Sequence, residues 1–180
     1  MSEAERGKAE VLDLERYVPA LLTFAANKLS WGATSLYQRL FGVGVTEWRI
    51  MSLLAIEPGI NAARVVQVIG LDKAAVSRVL KTLEERGAVR IVPDDADGRR
   101  QRVALTPKGR RLHDRILPVA LERARLLTDG LTEEERRVFI RALNHVNARI
   151  PDVNAYEPPG DGHGAEAARP KGKQASREQV

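Results

Sequence analysis

Cysteine is absent from this 180-residue chain, and that absence excludes disulfides, thiolate metal sites and cysteine nucleophiles. The three histidines, His113, His145 and His163, lack the spacing of a metal-binding pair, so we expect no metal and no cofactor. No apolar run reaches the length of about 18 residues that predicts a membrane-spanning helix. The charged N-terminus also lacks the apolar core of a signal peptide. We therefore expect a cytoplasmic protein with no membrane partner.

The usual signatures of catalysis are missing as well. The sequence has no nucleophile beside a base, no glycine-rich phosphate loop and no pair of carboxylates placed to share a cleft. We therefore expect a protein that is not an enzyme.

Basic residues are concentrated in one segment. Residues 61–111 hold 12 basic and 6 acidic side chains, whereas residues 1–150 as a whole hold 25 and 19. A local basic excess is the electrostatic footprint of a surface that binds a polyanion such as nucleic acid. The alternative is a basic face that is only solvated.

Helical periodicity dominates the chain, and the fold class it predicts is mainly α with one small β-hairpin. The apolar pattern predicts one long helix or two abutting helices over Leu12–Phe41. Further helices are expected to begin at the caps Thr46, Asn61, Asp72, Thr106 and Thr132, with the last ending near Ile150. The only convincing strands are Ala88–Pro93 and Gln101–Thr106, on either side of a charged loop that contains Gly98. Residues 151–180 are rich in proline and glycine and almost lack large apolar side chains, so we expect a disordered tail there.

Two short helices followed by a hairpin predict a helix-turn-helix with a wing. On the second of these helices an apolar stripe separates one side from an exposed side that is small and basic. The predicted DNA-binding residues on that exposed side are Lys73, Ala74, Ser77, Arg78 and Lys81. Such a helix reads base edges in the major groove with its N-terminal part. An ordinary surface helix with several cations is the alternative interpretation.

The hairpin tip supplies the second half of the predicted DNA-binding surface. Its residues are Asp97, Arg99, Arg100 and Arg102. An arginine at a wing tip is suited to the narrow minor groove of A·T-rich DNA, and Asp97 could orient Arg99 through a local ion pair. A solvated charged turn would explain the polarity of the tip, but not its position directly after the helix pair.

These segments resemble the multiple-antibiotic-resistance-regulator (MarR) family of winged-helix proteins. The resemblance rests on "TEWRIMSLLAIEPG", "VVQVIGLDKAAVSRVLKTLEERGAVRI" and "DGRRQRVALTPKG", and it extends over about Asp13–Ile150. The family's wing often reads Asp-x-Arg-Asp-x-Arg. Here Asp97 and Arg99 are present, but Ala96 occupies the place of the first arginine.

The resemblance implies one winged domain over residues 1–150. Its DNA-binding part would occupy about 46–106, and helices at about 11–41 and 107–150 would form a dimerisation region. A homodimer would read double-stranded DNA as a pseudo-palindrome, with half-sites about one helical turn apart. The apolar content of the terminal helices also favours dimerisation, because it exceeds what a small monomer could cover.

The resemblance further implies a small aromatic or anionic ligand that releases the DNA. The candidate effector residues are Trp31, Tyr37, Arg39, Trp48 and Arg49. Aromatic side chains at helical spacing more often belong to the core, and this holds for Trp48 in particular. His113 is expected to be a surface or interface residue. The sequence thus predicts a dimeric, DNA-binding transcriptional repressor, and the alternative is an architectural or constitutive DNA-binding module without an effector.

Overall fold

The computed structural model of the chain describes residues 11–93 and 101–158. In chain order its elements are α1 (Val18–Phe41), α2 (Val45–Ile56), α3 (Ala62–Ile69), α4 (Lys73–Glu85), β1 (Val89–Pro93), β2 (Gln101–Leu105), α5 (Pro107–Leu127) and α6 (Glu133–Asn154). The predicted class, mainly α-helical with one antiparallel hairpin, is confirmed. None of the helices that the structure describes combines the length and the apolar character that crossing a bilayer requires.

Helix α1 is one continuous helix, and it begins at Val18 rather than at Leu12 as the apolar pattern predicted. A turn built on Asp13 precedes it, in which the carboxylate and the carbonyl of Asp13 both accept backbone N–H groups. Pro19 lies in the first helical turn, where a missing N–H removes no helical hydrogen bond. Proline therefore marks the start of α1 instead of kinking it, and Gly32 does not interrupt it.

Helix α2 begins differently from the prediction. Thr46 was expected to be its N-cap, but the cap is Gly44 and Thr46 lies inside the first turn. The Glu47 carboxylate, three residues after the cap, accepts the N–H of Gly44 at 2.6 Å. A glutamate at this position satisfies one of the free donors at a helix start, so the cap does not require a hydroxyl side chain.

The helix pair α3–α4 is delimited by the predicted capping residues. The Asn61 side chain accepts the backbone N–H of Arg64 at 2.9 Å, and that of Asp72 accepts the N–H of Ala75 at 2.8 Å. Gly70 ends α3 with φ +72°, a left-handed conformation that favours glycine. The two helices are thus joined by the short, tight turn that a helix-turn-helix requires.

The hairpin matches the predicted strands to within one residue at each end. Strands β1 and β2 pair antiparallel, with Val89 opposite Leu105. Backbone pairing between Ile60 and Val103 attaches the hairpin to the segment between α2 and α3. The base of the hairpin is therefore positioned by the helix-turn-helix itself.

Thr106 connects the hairpin to α5 as predicted. Its hydroxyl oxygen accepts the N–H of Gly109 at 3.0 Å, and the hydroxyl donates to the carbonyl of Gly87 at 2.7 Å. The backbone of Gly109 approaches the Ala88 carbonyl so closely that a Cβ there would lie 1.8 Å from its oxygen. Only glycine fits this contact between α5 and the start of β1.

Two units account for the described residues, one within Met1–Leu127 and one within Thr128–Val180. The core of the first unit draws on all of its helices and both strands. Its largest fully buried side chains are Ile50, Met51, Leu54, Leu83, Ile116, Val43, Val65, Val76, Val89 and Val103.

The second unit contains α6. Its capping box is the predicted one, because Thr132 accepts the N–H of Glu135 while the Glu135 carboxylate accepts the N–H of Thr132. The prediction that this helix ends near Ile150 is wrong, since it continues to Asn154. Pro151 is accommodated, and its carbonyl accepts the N–H of Ala155 at 3.0 Å. The expected tail therefore cannot begin at residue 151, and residues 159–180 lie outside the described part of the chain.

Candidate nucleic-acid interface and effector residues

Helix α4 has one buried side and one exposed side. Val76, Leu80 and Leu83 are buried and Val79 is partly buried, as the apolar pattern predicted. The five residues predicted to face DNA all lie on the exposed side, and they are Lys73, Ala74, Ser77, Arg78 and Lys81. The helix thus holds a basic surface outward while its other side anchors it to the core.

Within the described residues, the cations on this surface have few carboxylate partners. Lys81 lies 3.9 Å from Glu85, but both side chains are mostly exposed, so this pair contributes little. Lys73 and Arg78 form no ion pair with any residue in the described part of the chain. Their charges are therefore available to an anionic partner.

The C-terminal end of α4 is tied to the α1–α2 junction. One Nη of Arg86 donates to the carbonyl of Gly42 at 2.8 Å and to Glu47 Oε1 at 2.9 Å. Lys108 Nζ donates to the Arg86 carbonyl at 2.7 Å. These bonds hold the C-terminal end of α4, which limits the movement of its exposed face.

An ion pair between Arg64 on α3 and Glu57 at the end of α2 joins these two helices. Arg64 donates to both carboxylate oxygens of Glu57 at 2.9 Å. The hydrogen bonds from Arg64, assisted by its charge, hold the pKa of the Glu57 carboxyl below its ordinary value. The exposed guanidinium of Arg64 is thereby occupied by an internal partner.

Three of the four predicted wing residues, Asp97, Arg99 and Arg100, lie outside the described residues. Arg102 is described, and it lies on β2 opposite Val92. Its Nε donates to the carbonyl of Gly59 at 3.3 Å, so the side chain braces the hairpin against the turn between α2 and α3. Sequence reasoning assigned Arg102 to DNA and missed this internal contact.

Two of the five candidate effector residues come together. Tyr37 is buried, Trp48 is half-buried, and their ring centroids lie 6.1 Å apart with an angle of 65° between the planes. Arg123 contributes a cation 5.9 Å from the Tyr37 ring centroid, a contact that sequence reasoning missed. The aromatic pair belongs to the packed interior, as the alternative interpretation of Trp48 expected.

The other three candidates do not join this pair. Trp31 is 80% exposed, and Arg39 is exposed as well. Arg49 donates to Ser30 Oγ at 2.8 Å, which ties α2 to α1. The structure therefore does not assemble the five residues into one pocket.

His113 was expected at a surface or interface, and that prediction is wrong. Its side chain is buried and stacks on Trp48, with ring centroids 5.2 Å apart and planes 22° from parallel. Its Nδ1 lies 2.8 Å from the carboxylate of the exposed Asp114. The buried positions Gly109, His113 and Ile116 follow helical spacing, and that periodicity was the signal that could have located His113.

Comparisons with known proteins agree on one family. A family model described as "MarR family" matches residues 41–100. A structure titled as a MarR/EmrR family transcriptional regulator from Acinetobacter sp. ADP1 has 30% sequence identity and a TM-score of 0.74. That alignment covers 78% of this chain and 99% of the other.

Two further matches are more distant. The transcriptional regulator HosA of Escherichia coli O157:H7 is 28% identical over 97 residues, which are 54% of this chain and 72% of that protein. The PcaV transcriptional regulator from Streptomyces coelicolor, solved with its natural ligand, shares the fold. Its TM-score is 0.65 at 24% identity, with 78% of this chain and 99% of that chain covered. Together with the winged helix-turn-helix architecture, these similarities establish that the chain belongs to the MarR family of DNA-binding transcriptional regulators.

Proposed function

We propose that the chain is a dimeric repressor that reads a pseudo-palindromic operator with two copies of α4. The observation that carries this proposal is the division of α4 into a buried apolar side and an exposed side bearing Lys73, Ser77 and Arg78. Arginine and serine near the N-terminal part of such a helix reach base edges in the major groove. The cap at Asp72 supports the proposal because it fixes the first turn of α4, which carries Lys73. The bonds of Arg86 support it because they tie the other end of the helix to the α1–α2 junction.

The wing is proposed as the second DNA contact. Arg99, with Asp97 beside it, would enter the minor groove next to the site that α4 reads. Arg102 is better suited to a supporting role, since its Nε already donates to the Gly59 carbonyl. We therefore assign the wing's DNA contact to Arg99 and Arg100, with Arg102 holding the hairpin in place.

The proposed dimerisation region comprises α1, α5 and α6, as the family resemblance implies. Large apolar side chains are exposed along the first half of α1 and along α6, including Leu21, Phe24, Phe139 and Leu143. Exposed apolar surface of this extent is typical of a protein–protein interface. A second copy of the chain would cover it and would place two α4 helices about one turn of DNA apart.

The proposal also includes release of the DNA when a small aromatic or anionic effector binds. The solved complex of PcaV with its natural ligand supports a ligand-responsive regulator in this fold. Ligand binding releases DNA only if it favours an arrangement in which the recognition helices miss their half-sites. Of the predicted effector contacts, Tyr37 and Trp48 lie against each other in the structure. The other predicted contacts are Trp31, Arg39 and Arg49.

The proposed function is tested by selecting operator DNA from a random pool and measuring its affinity for the full chain. Arg78→Ala should lower the preference for the operator over random DNA, because loss of a good base contact costs about 1–3 kcal/mol. Arg99→Ala should weaken binding mainly where the flanks are rich in A·T pairs. Arg125→Ala is the matched control, since Arg125 pairs with Glu122 far along α5 and should leave both affinities unchanged.

Equal losses on operator and random DNA from Arg78→Ala would contradict base reading by α4. Affinity that does not fall as salt rises would contradict the phosphate contacts on which the basic surface depends. Operator binding that no aromatic acid alters would favour the alternative, a constitutive DNA-binding module.

A further inference from the structure

We propose that Glu84 is a positioning residue that fixes the angle between helix α4 and the wing. Its Oε1 accepts the backbone N–H of Ile91 on β1 at 3.2 Å. Glu84 lies in the last turn of α4, and Ile91 is the central residue of the strand that leads into the wing. One side chain therefore connects the two elements to which the proposed function assigns DNA contacts, and the inference rests on that proposed function.

The geometry of the hairpin leaves the Ile91 N–H without an acceptor on β2. In an antiparallel pair, directly opposite residues alternate between those that bond to each other and those whose N–H and C=O point away. Ile91 lies opposite Val103, and the N–H of Val103 points away from β1, because it donates to the Ile60 carbonyl at 2.8 Å. The N–H of Ile91 therefore points away from β2, and it needs an acceptor from outside the sheet.

The hairpin is thus held at one level from both of its edges. On the outer edge of β2, Val103 exchanges backbone hydrogen bonds with the segment before α3, since its carbonyl also accepts the N–H of Gly59 at 3.0 Å. On the outer edge of β1, the Glu84 carboxylate accepts the N–H of Ile91. The first contact fixes the hairpin against the turn between α2 and α3, and the second limits its rotation relative to α4.

An acidic side chain at this place needs a reason, because the exposed face of α4 otherwise carries cations. A carboxylate close to DNA phosphates weakens binding by repulsion between like charges. Among residues 11–93 and 101–158, no cation forms an ion pair with Glu84. A carboxylate that accepts an N–H does form a charge-assisted hydrogen bond, which is stronger than a neutral one. The bond to Ile91 therefore accounts for an acid that DNA binding alone would disfavour.

Three variants separate the hydrogen bond from the charge. Glu84→Ala removes both, whereas Glu84→Gln removes the charge and keeps an oxygen that can accept the N–H. Glu85→Ala is the matched control, because Glu85 carries the same charge on the same turn and its ion pair with Lys81 stays within α4. Each variant loses one negative charge, so a difference among them reports the hydrogen bond.

Hydrogen–deuterium exchange of the Ile91 amide, followed by NMR in the full chain, tests the bond without DNA. We expect exchange at least about five-fold faster in Glu84→Ala than in Glu84→Gln or Glu85→Ala, because only the first of these variants removes the acceptor. Thermal unfolding checks that the exposed substitutions leave the fold intact. Equal exchange rates in the three variants would overturn the proposal.

Operator affinity tests the positioning itself. Two duplexes carry the selected operator with A·T-rich or G·C-rich flanks, and the ratio of their affinities reports the wing's contact with the minor groove. We expect Glu84→Ala to lower this ratio by about three-fold or more, and Glu84→Gln and Glu85→Ala to keep the native ratio.

A ratio that Glu84→Gln lowers as much as Glu84→Ala would overturn the proposal, because the charge would then be responsible. A native preference for A·T-rich flanks that none of the variants changes would overturn it as well. A native chain that binds both duplexes equally would contradict the proposed wing contact, whereas the exchange rates would still decide whether Glu84 holds β1 against α4.

Discussion

Helices α4 and α6 carry similar apolar stripes, but only the stripe of α4 is covered by its own chain. Val76 and Leu83 on α4 are fully buried. On α6, no residue is buried, and Phe139 and Leu143 remain 46% and 37% exposed. An amphipathic pattern therefore predicts that a surface will be covered, and it does not tell which chain will cover it.

Helix α1 shows both situations in one element. Its second half buries Ala33 and Tyr37 against the core of the winged unit, whereas Leu21 and Phe24 in its first half are exposed. Among the described residues, the core of the winged unit is thus covered by its own chain, whereas the first half of α1 and the stripe of α6 expose large apolar side chains. Substitutions in the two regions should consequently have different kinds of effect.

The largest expected effect is a loss of folding stability from a substitution at Gly109, in the winged unit. Gly109→Ala would place a Cβ 1.8 Å from the Ala88 carbonyl oxygen, against backbone that cannot turn away as a side chain can. We expect a loss of more than about 3 kcal/mol in the free energy of unfolding, measured by urea denaturation. Gly32→Ala is the matched control in a helix interior, where the nearest atom is an Arg123 nitrogen at 3.8 Å. That variant should be neutral or slightly more stable, and similar losses in both would show that the contact at Gly109 is not specific.

The second largest expected effect is on dimerisation, and it comes from substitutions on the exposed apolar stripe of α6. Phe139→Glu combined with Leu143→Glu puts charge on the exposed stripe of α6, so the proposed dimer should dissociate while the winged unit stays folded. Sedimentation equilibrium measures the mass, and circular dichroism measures the helix content. Arg141→Glu, on the other side of α6, is the control and should remain dimeric. A double variant with unchanged mass would mean that the stripe is not the dimer interface.

The smallest effect is a pH dependence at the start of α6. The Thr132 side chain and N–H both donate to the Glu135 carboxylate, so they hold its pKa below the ordinary value of 4.5. A lowered pKa stabilises the helix start above the ordinary value, and the contribution disappears as the pH falls through the lowered pKa. Thr132→Ala should raise the pKa of Glu135 towards its ordinary value in an NMR titration, whereas Thr132→Ser should keep it low. A Glu135 pKa that is identical in all three chains would contradict the capping box as its cause.

Local structure could be predicted from the sequence wherever a signal acts between neighbouring residues. The caps Asn61, Asp72, Thr106 and Thr132 and the limits of the hairpin depend on hydrogen bonds a few residues apart, and the structure confirms them. The cap of α2 was assigned to Thr46 because a hydroxyl usually serves there. Glu47 satisfies the N–H of Gly44 instead, and two competing local signals could not be ranked without the backbone.

The candidate DNA-binding face could also be predicted, because the division of α4 into two sides depends only on helical spacing. The environment of the aromatic residues could not be predicted in this way. Trp31 and Trp48 both lie on apolar helical patterns, yet Trp31 is exposed and Trp48 stacks on His113, which lies 65 positions further along the chain. Contacts over such separations depend on how the helices pack, and no local pattern encodes them.

The sequence by itself therefore determined the elements, their order, the family and the sides of α4, because each depends on spacing along the chain. Only the tertiary structure determined which residues of different elements contact each other. It placed Arg102 against Gly59 and His113 against Trp48. The physical reason is that helical periodicity determines on which side of a helix a residue lies. Packing between distant segments determines which residues it contacts, and therefore its burial and the charges around it.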